Sequence, residues 1–173
     1  IFNQKSINKF ILNFILLLFI SNIYSQKIKR DIIDEFTDSR IIETSWERMG
    51  LGGFYRFKKV NGTYYFNFKY PRMNVFSVAE GAKLILKLED GSRLTLFNSE
   101  YEISSIGAGA IGLVSSGTWG VSIYYPVTEL ELKIFEKINV EKYRIYTSLG
   151  YNDIEMKFKH SKKLKKSALL ILR

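Results

Sequence analysis

Gly107-Ala108-Gly109-Ala110-Ile111-Gly112 spells G-x-G-x-x-G, the pattern with which a strand-to-helix turn holds a pyrophosphate. That chemistry needs the third glycine to open a helix whose N-terminal amides face the phosphates. Here Leu113 to Tyr125 runs through Gly117 and Gly120 back into extended chain. The expectation is a bulge, a tight turn or a close backbone approach, and no nucleotide site. Free amides in the same stretch could still form a nest for a small anion, with Trp119 beside them.

Glu100 and Glu102 lie two apart on an expected strand, which places both carboxylates on one face about 7 Å apart, a separation that overlaps that of inverting glycosidases. A solvated strand face explains the pair equally simply, and no neighbouring residue type supplies the distinct environments an acid and a base require. The acids Asp31, Asp34, Glu35 and Asp38 miss the spacing of a calcium loop and read as solvated. With one histidine, His160, and no cysteine, neither a Ser-His-Asp triad nor a multi-histidine or thiolate metal site has an evident set of parts. G-x-S-x-G, H-E-x-x-H and G-K-[ST] are absent. No catalytic residue, metal or cofactor is expected. Arg56, Lys58 and Lys69 around Tyr65 could hold an acidic glycan or a single strand by charge and stacking, against the plainer reading of a solvated sheet face.

The elements that must position these residues begin after residue 25. Lys5 and Lys9 precede the apolar run Phe10 to Ile20, and Ser25 suits the position before cleavage, so residues 1–25 read as a secretory signal peptide cut before Gln26. The run is too short to favour a transmembrane helix, and with no cysteine to carry a lipid, a lipoprotein anchor is not expected. Of the 173 residues, 26 are Lys or Arg and 17 are Asp or Glu, a net charge of +9 that first suggests nucleic acid. Division along the chain removes that suggestion. Residues 1–25 hold two cations, residues 157–173 hold seven, and neither segment has an acid, while 26–156 balance at 17 of each sign. Nucleic acid is therefore not an expected partner, and any electrostatic role belongs to the C-terminal end.

Residues 26–40 are expected to be loose, and 41–173 to form one domain. Asn61-Gly62 is a two-residue type I′ turn, pairing Val60 with Thr63, Phe57 with Phe66 and Tyr55 with Phe68. Tyr55, Phe57, Tyr64, Phe66, Phe68 and Tyr70 then share one face, which must be buried. A second hairpin, 83–88 with 92–98, takes the three-residue loop Glu89-Asp90-Gly91, because only that register sets Leu86 against Leu94 and Leu84 against Leu96. Ile41–Arg48, Tyr101–Ile106 and Thr118–Tyr125 read as strands, the last stopped by Pro126. Thr128 and Glu131 form a capping box before a helix over 129–138 with Leu130, Ile134, Phe135 and Ile138 as its stripe. A third hairpin, 143–147 with 153–158, turns around Gly150. A final helix over 161–172 sets Leu164, Ala168, Ile171 and Leu172 against Lys162, Lys163, Lys165 and Lys166. The fold class is α+β, mainly antiparallel, with roughly eight to ten short strands in a sandwich or strongly bent sheet.

Four segments carry a resemblance: Tyr24-Ser25 before Gln26, Thr44-Ser45-Trp46-Glu47, Ser105 to Gly112, and Tyr143 to Tyr151. With them the chain resembles small exported proteins of Bacteroidota-type bacteria. The resemblance implies a Gram-negative periplasmic or exported location and nothing about catalysis.

Taken together, these residues lead to the expectation of an exported, non-enzymatic binding domain for a protein or glycan partner. Its contact regions would be Gly107, Gly109 and Gly112 with Trp119, and Arg56, Lys58 and Tyr65. The alternatives are a carboxylate-dependent glycan hydrolase using Glu100 and Glu102, and a peripheral membrane protein held by its basic C-terminal helix.

Overall fold

The computed structural model describes residues 27–173. The expected signal peptide, 1–25, lies outside the described residues.

The fold is α+β and mostly antiparallel. Among the described residues the strands are β1 (Ile28–Ile33), β2 (Arg40–Thr44), β3 (Glu47–Met49), β4 (Gly53–Val60), β5 (Thr63–Arg72), β6 (Ser77–Val78), β7 (Lys83–Leu88), β8 (Arg93–Phe97), β9 (Glu102–Ile103), β10 (Ser105–Ile106), β11 (Trp119–Val127), β12 (Val140–Thr147) and β13 (Gly150–Glu155). Two helices, α1 (Glu129–Lys137) and α2 (Phe158–Leu172), interrupt and close the order. The larger sheet runs β1-β2-β4-β5-β11-β10, with β3 also on β4; a second runs β13-β12-β7-β8, and β6 pairs with β9. The thirteen strands exceed the expected number because β3, β6, β9 and β10 are pieces of only two or three residues.

Alternation decides what lies between the sheets. Tyr55, Phe57, Phe66, Phe68 and Tyr70 are fully buried, as the Asn61-Gly62 register requires, with Asn61 at φ 45° and Gly62 at φ 89°. Leu84, Leu86, Leu94 and Leu96 of the second hairpin join the same core, with Leu86 opposite Leu94 across the three-residue loop. The layers meet where Phe68 abuts Tyr143 edge-on at 5.7 Å and the Tyr143 hydroxyl donates to the Met49 carbonyl at 2.9 Å. The helices cover the remainder: Phe135 of α1 stacks on Phe66 at 5.7 Å, and Leu164, Ala168 and Ile171 of α2 are buried. Each buried Phe, Leu or Ile among these contributes about 1.5–3 kcal/mol by leaving water.

Several expectations are corrected. Residues 28–33 are not loose: β1 pairs with β2, and the Arg40 guanidinium donates twice to Asp31, at 3.0 and 2.9 Å. Ile41–Arg48 is not one strand. Glu43 faces Lys58 and Glu47 faces Tyr55, so three residues, Thr44, Ser45 and Trp46, oppose two, Arg56 and Phe57. This is a β-bulge, and the Thr44 hydroxyl takes the Phe57 N–H at 3.0 Å within it. Pro126 does not stop β11, which continues to Val127 opposite Tyr64. There β11 has β5 on one side and no strand on the other, so the missing proline N–H interrupts no ladder. The expected strand 101–106 breaks at Ser104, whose buried hydroxyl accepts the Phe76 N–H at 2.8 Å. The return strand of the third hairpin starts at Gly150 and ends at Glu155, earlier than expected, and α2 begins at Phe158, ahead of the expected Ser161. In α1 the capping box forms, but Leu132 with Phe135 faces inward while Leu130 is 71% exposed.

Candidate functional site

The bulge between β2 and β3 turns Trp46 onto the outer face of the larger sheet, where two cations meet its ring. Arg56 lies 4.6 Å and Lys69 5.0 Å from the ring centre. Arg56 is also fixed from two further directions, donating to Glu43 Oε2 at 2.6 Å and to Asn67 Oδ1 at 3.1 Å. Asn67, fully buried, donates in turn to the Ile123 carbonyl at 3.0 Å. Lys58 shares Glu43 at 3.8 Å. Of the expected trio, Arg56 is thus a clamp within the sheet and Lys58 is partly neutralised. Tyr65 meets Tyr124 edge-on at 6.3 Å and lines, with Lys58, Ser99 and Glu100, a shallow cavity of about 410 Å³.

The glycine segment crosses the same face. Gly107 (φ 80°) and Gly112 (φ 56°) occupy the left-handed conformation that glycine adopts without strain. Gly109 is needed for a different reason, because the chain crosses itself there. A Cβ on Gly109 would sit 2.8 Å from the Pro71 nitrogen, and one on Gly120 would sit 2.5 Å from the Gly109 nitrogen. The Lys69 ammonium ties the crossing down by donating to the Ala110 carbonyl at 2.6 Å. The amides of Gly107, Ala108, Ala110 and Ile111 all donate to backbone carbonyls within the segment or its flanks, so they are not free to form an anion nest. Gly109→Ala should destabilise by about 1–3 kcal/mol through overpacking against backbone that cannot swing aside, measured by urea denaturation. Trp119 does not join this group: it lies on β11 directly across from Arg72, on the side of the sheet that carries Val121 and Ile123 into the core.

What the glycine segment does provide is a wall. Ile111 and Val114 form one side of a cleft of about 430 Å³ whose other sides are Trp46 and Phe54, the β3 residues Glu47 and Arg48, and Lys159, His160 and Lys163 from the start of α2. Lys163 pairs with Glu47 at 2.7 Å, leaving Arg48 and Lys159 as the charge excess of the lining. Arg48 sits over the Phe54 ring at 5.4 Å. His160 is buried, and its Nδ1 has no hydrogen-bond partner among the described residues. Burial first, then the charges of Lys159, Lys163, Lys157 and Arg48, hold its imidazole below the usual histidine range. The site is therefore cationic and aromatic, with an imidazole that its surroundings hold towards the neutral form.

Sequence reasoning missed Arg48, Lys159 and His160 as a group. The acid-free run 157–173 was a visible signal of positive potential, but its meeting with Trp46 depends on a bulge and on where α2 docks. The two glutamates fare differently. Glu100 follows a turn in which the Asn98 amide bonds the Ala79 and Glu100 carbonyls, whereas Glu102 sits on β9 opposite Val78. They do not share one uninterrupted strand. Burial, followed by the charge of Glu100, pushes the Glu102 carboxyl above its ordinary value.

No family model matches the chain, and neither a curated protein nor a solved structure matches it.

Proposed function

We propose that the chain is an exported, non-enzymatic binding domain that takes an acidic glycan in the cleft between the glycine segment and the first turn of α2. The observation that carries this reading is the convergence of Arg48, Lys159 and His160 beside the Trp46 and Phe54 rings. Charge selects the acidic substituents, and the rings hold the cations in place along the wall. The apolar leader and the resemblance to exported Bacteroidota-type proteins support a periplasmic or extracellular setting. Arg56, a contact residue on the sequence expectation, serves here by holding Trp46 in place.

A sulfated hexasaccharide, whose charge is constant between pH 7 and 5, tests the proposal by titration calorimetry. It should bind, while the unsulfated sugar should not, and Lys159→Glu or Arg48→Glu should each weaken binding about tenfold. Affinity should rise as the pH falls from 7 to 5, because the bound anion favours the imidazolium form of His160. His160→Gln should flatten that rise. Equal binding of the two sugars would overturn the reading.

A second reading, a glycan hydrolase, is favoured by the raised carboxyl of Glu102 alone. Turnover in a glycan screen that Glu102→Gln abolishes would displace the binding-domain proposal. Support for the membrane reading is confined to lysine charge, since Leu164, Ala168 and Ile171 of α2 are inside the core. No helix among the described residues is long and apolar enough to cross a membrane.

A further inference from the structure

A further cavity, of about 360 Å³, opens between the two sheets at the far end of β5, on the core side of the larger sheet and away from the cationic cleft. Arg72 stands in its lining, and no acidic residue does. Among the described residues Arg72 has neither an ion pair nor a hydrogen bond to its side chain. It is half-buried and lies 4.2 Å over the ring of Tyr70. That ring is locked in turn, stacked on Phe68 at 5.8 Å and edge-on to Phe76 at 5.9 Å. A guanidinium stacked by its face keeps its donor-bearing edge available, in the fork geometry that matches a carboxylate. Tyr70 is itself fully buried and forms the floor beneath Arg72. Met73, Phe76 and Leu149 make much of the remaining wall apolar.

We infer that this cavity is a binding site for a small organic carboxylate with an apolar body, the carboxylate on Arg72 and the body against Phe76 and Leu149. One cation in the lining matches one negative charge, which favours a monocarboxylate over a phosphate dianion. The volume lies at the lower end of small-molecule sites. The inference is independent of the acidic-glycan proposal, because the two sites have no lining residue in common.

Hexanoate is a suitable probe, compared by titration and amide chemical-shift mapping with hexanamide and inorganic phosphate. Hexanoate should bind and shift the amides around Arg72, Phe76, Thr147 and Tyr151, with hexanamide and phosphate at least about tenfold weaker. Arg72→Gln should abolish the binding. Arg72→Lys, which keeps the charge and the fold but loses the fork, should weaken it severalfold. No hexanoate binding, equal affinity for hexanamide or phosphate, or unchanged affinity in Arg72→Lys would each overturn the inference.

Discussion

Phe66→Ala is expected to lower the stability of the fold by about 3–5 kcal/mol, read as a fall in the urea midpoint without a change in slope. Five rings surround Phe66: Tyr55 stacked at 5.7 Å, Phe57 edge-on at 5.5 Å, Phe68 stacked at 6.2 Å, Tyr125 tilted at 6.4 Å and Phe135 stacked at 5.7 Å. Their locations matter more than their number. Tyr55, Phe57, Phe68 and Tyr125 come from three adjacent strands of one sheet, so backbone hydrogen bonding holds them at fixed spacing and they cannot close over a void. Phe135 could approach only by moving α1, which is anchored through its capping box at Thr128. A site that collapses poorly sits at the upper end of the cavity cost. Phe66→Leu keeps most of the volume and should cost less than about 1.5 kcal/mol. A loss below about 1 kcal/mol for the alanine variant would mean that α1 slides inward and that the helix layer is less rigidly docked than its cap implies.

The aromatic centre was legible in advance because one local feature fixes it. Asn61-Gly62 can turn the chain in only a few ways, and strict alternation on both sides then determines which rings share a face. The three-residue loop at Glu89-Asp90-Gly91 was legible for the same reason, with four leucines as the check. The bulge at Ser45-Trp46 was not. Nothing within Ile41–Arg48 signals an extra residue, since it is defined only by counting against β4. Pro126 misled because its effect depends on whether a further strand lies beyond β11, which is a property of the whole sheet. The same limit applies to the two candidate sites. Arg72 and Tyr70 are two apart and so share a face, but that they end beside Thr147 and Leu149 follows from how the sheets stack. His160 was visible as a lone histidine in a lysine run, and its cleft arises only once α2 docks against β3.

Glu43→Ala should cost about 3 kcal/mol, because it strands a cation that the fold has already taken out of water. Glu43 is 5% exposed, and among the described residues it is the single carboxylate in ion-pair reach of both Arg56 and Lys58. Removing it leaves the Arg56 guanidinium between Trp46 and Asn67 without a counter-charge, and the cost is the uncompensated desolvation more than the lost attraction. The double variant Glu43→Leu, Arg56→Met should regain most of the loss, since it removes both charges together and fills the space. This cycle also tests what Arg56 does. If Arg56 is a clamp, Glu43→Ala should both destabilise the fold and weaken binding of the sulfated hexasaccharide, as Trp46 loses its support beside the cleft. If Arg56 were instead a ligand-binding arm held in reserve, freeing it from Glu43 would raise that affinity, and an increase accompanied by unchanged stability would move the contact region from the glycine wall back to the open face of β4 and β5.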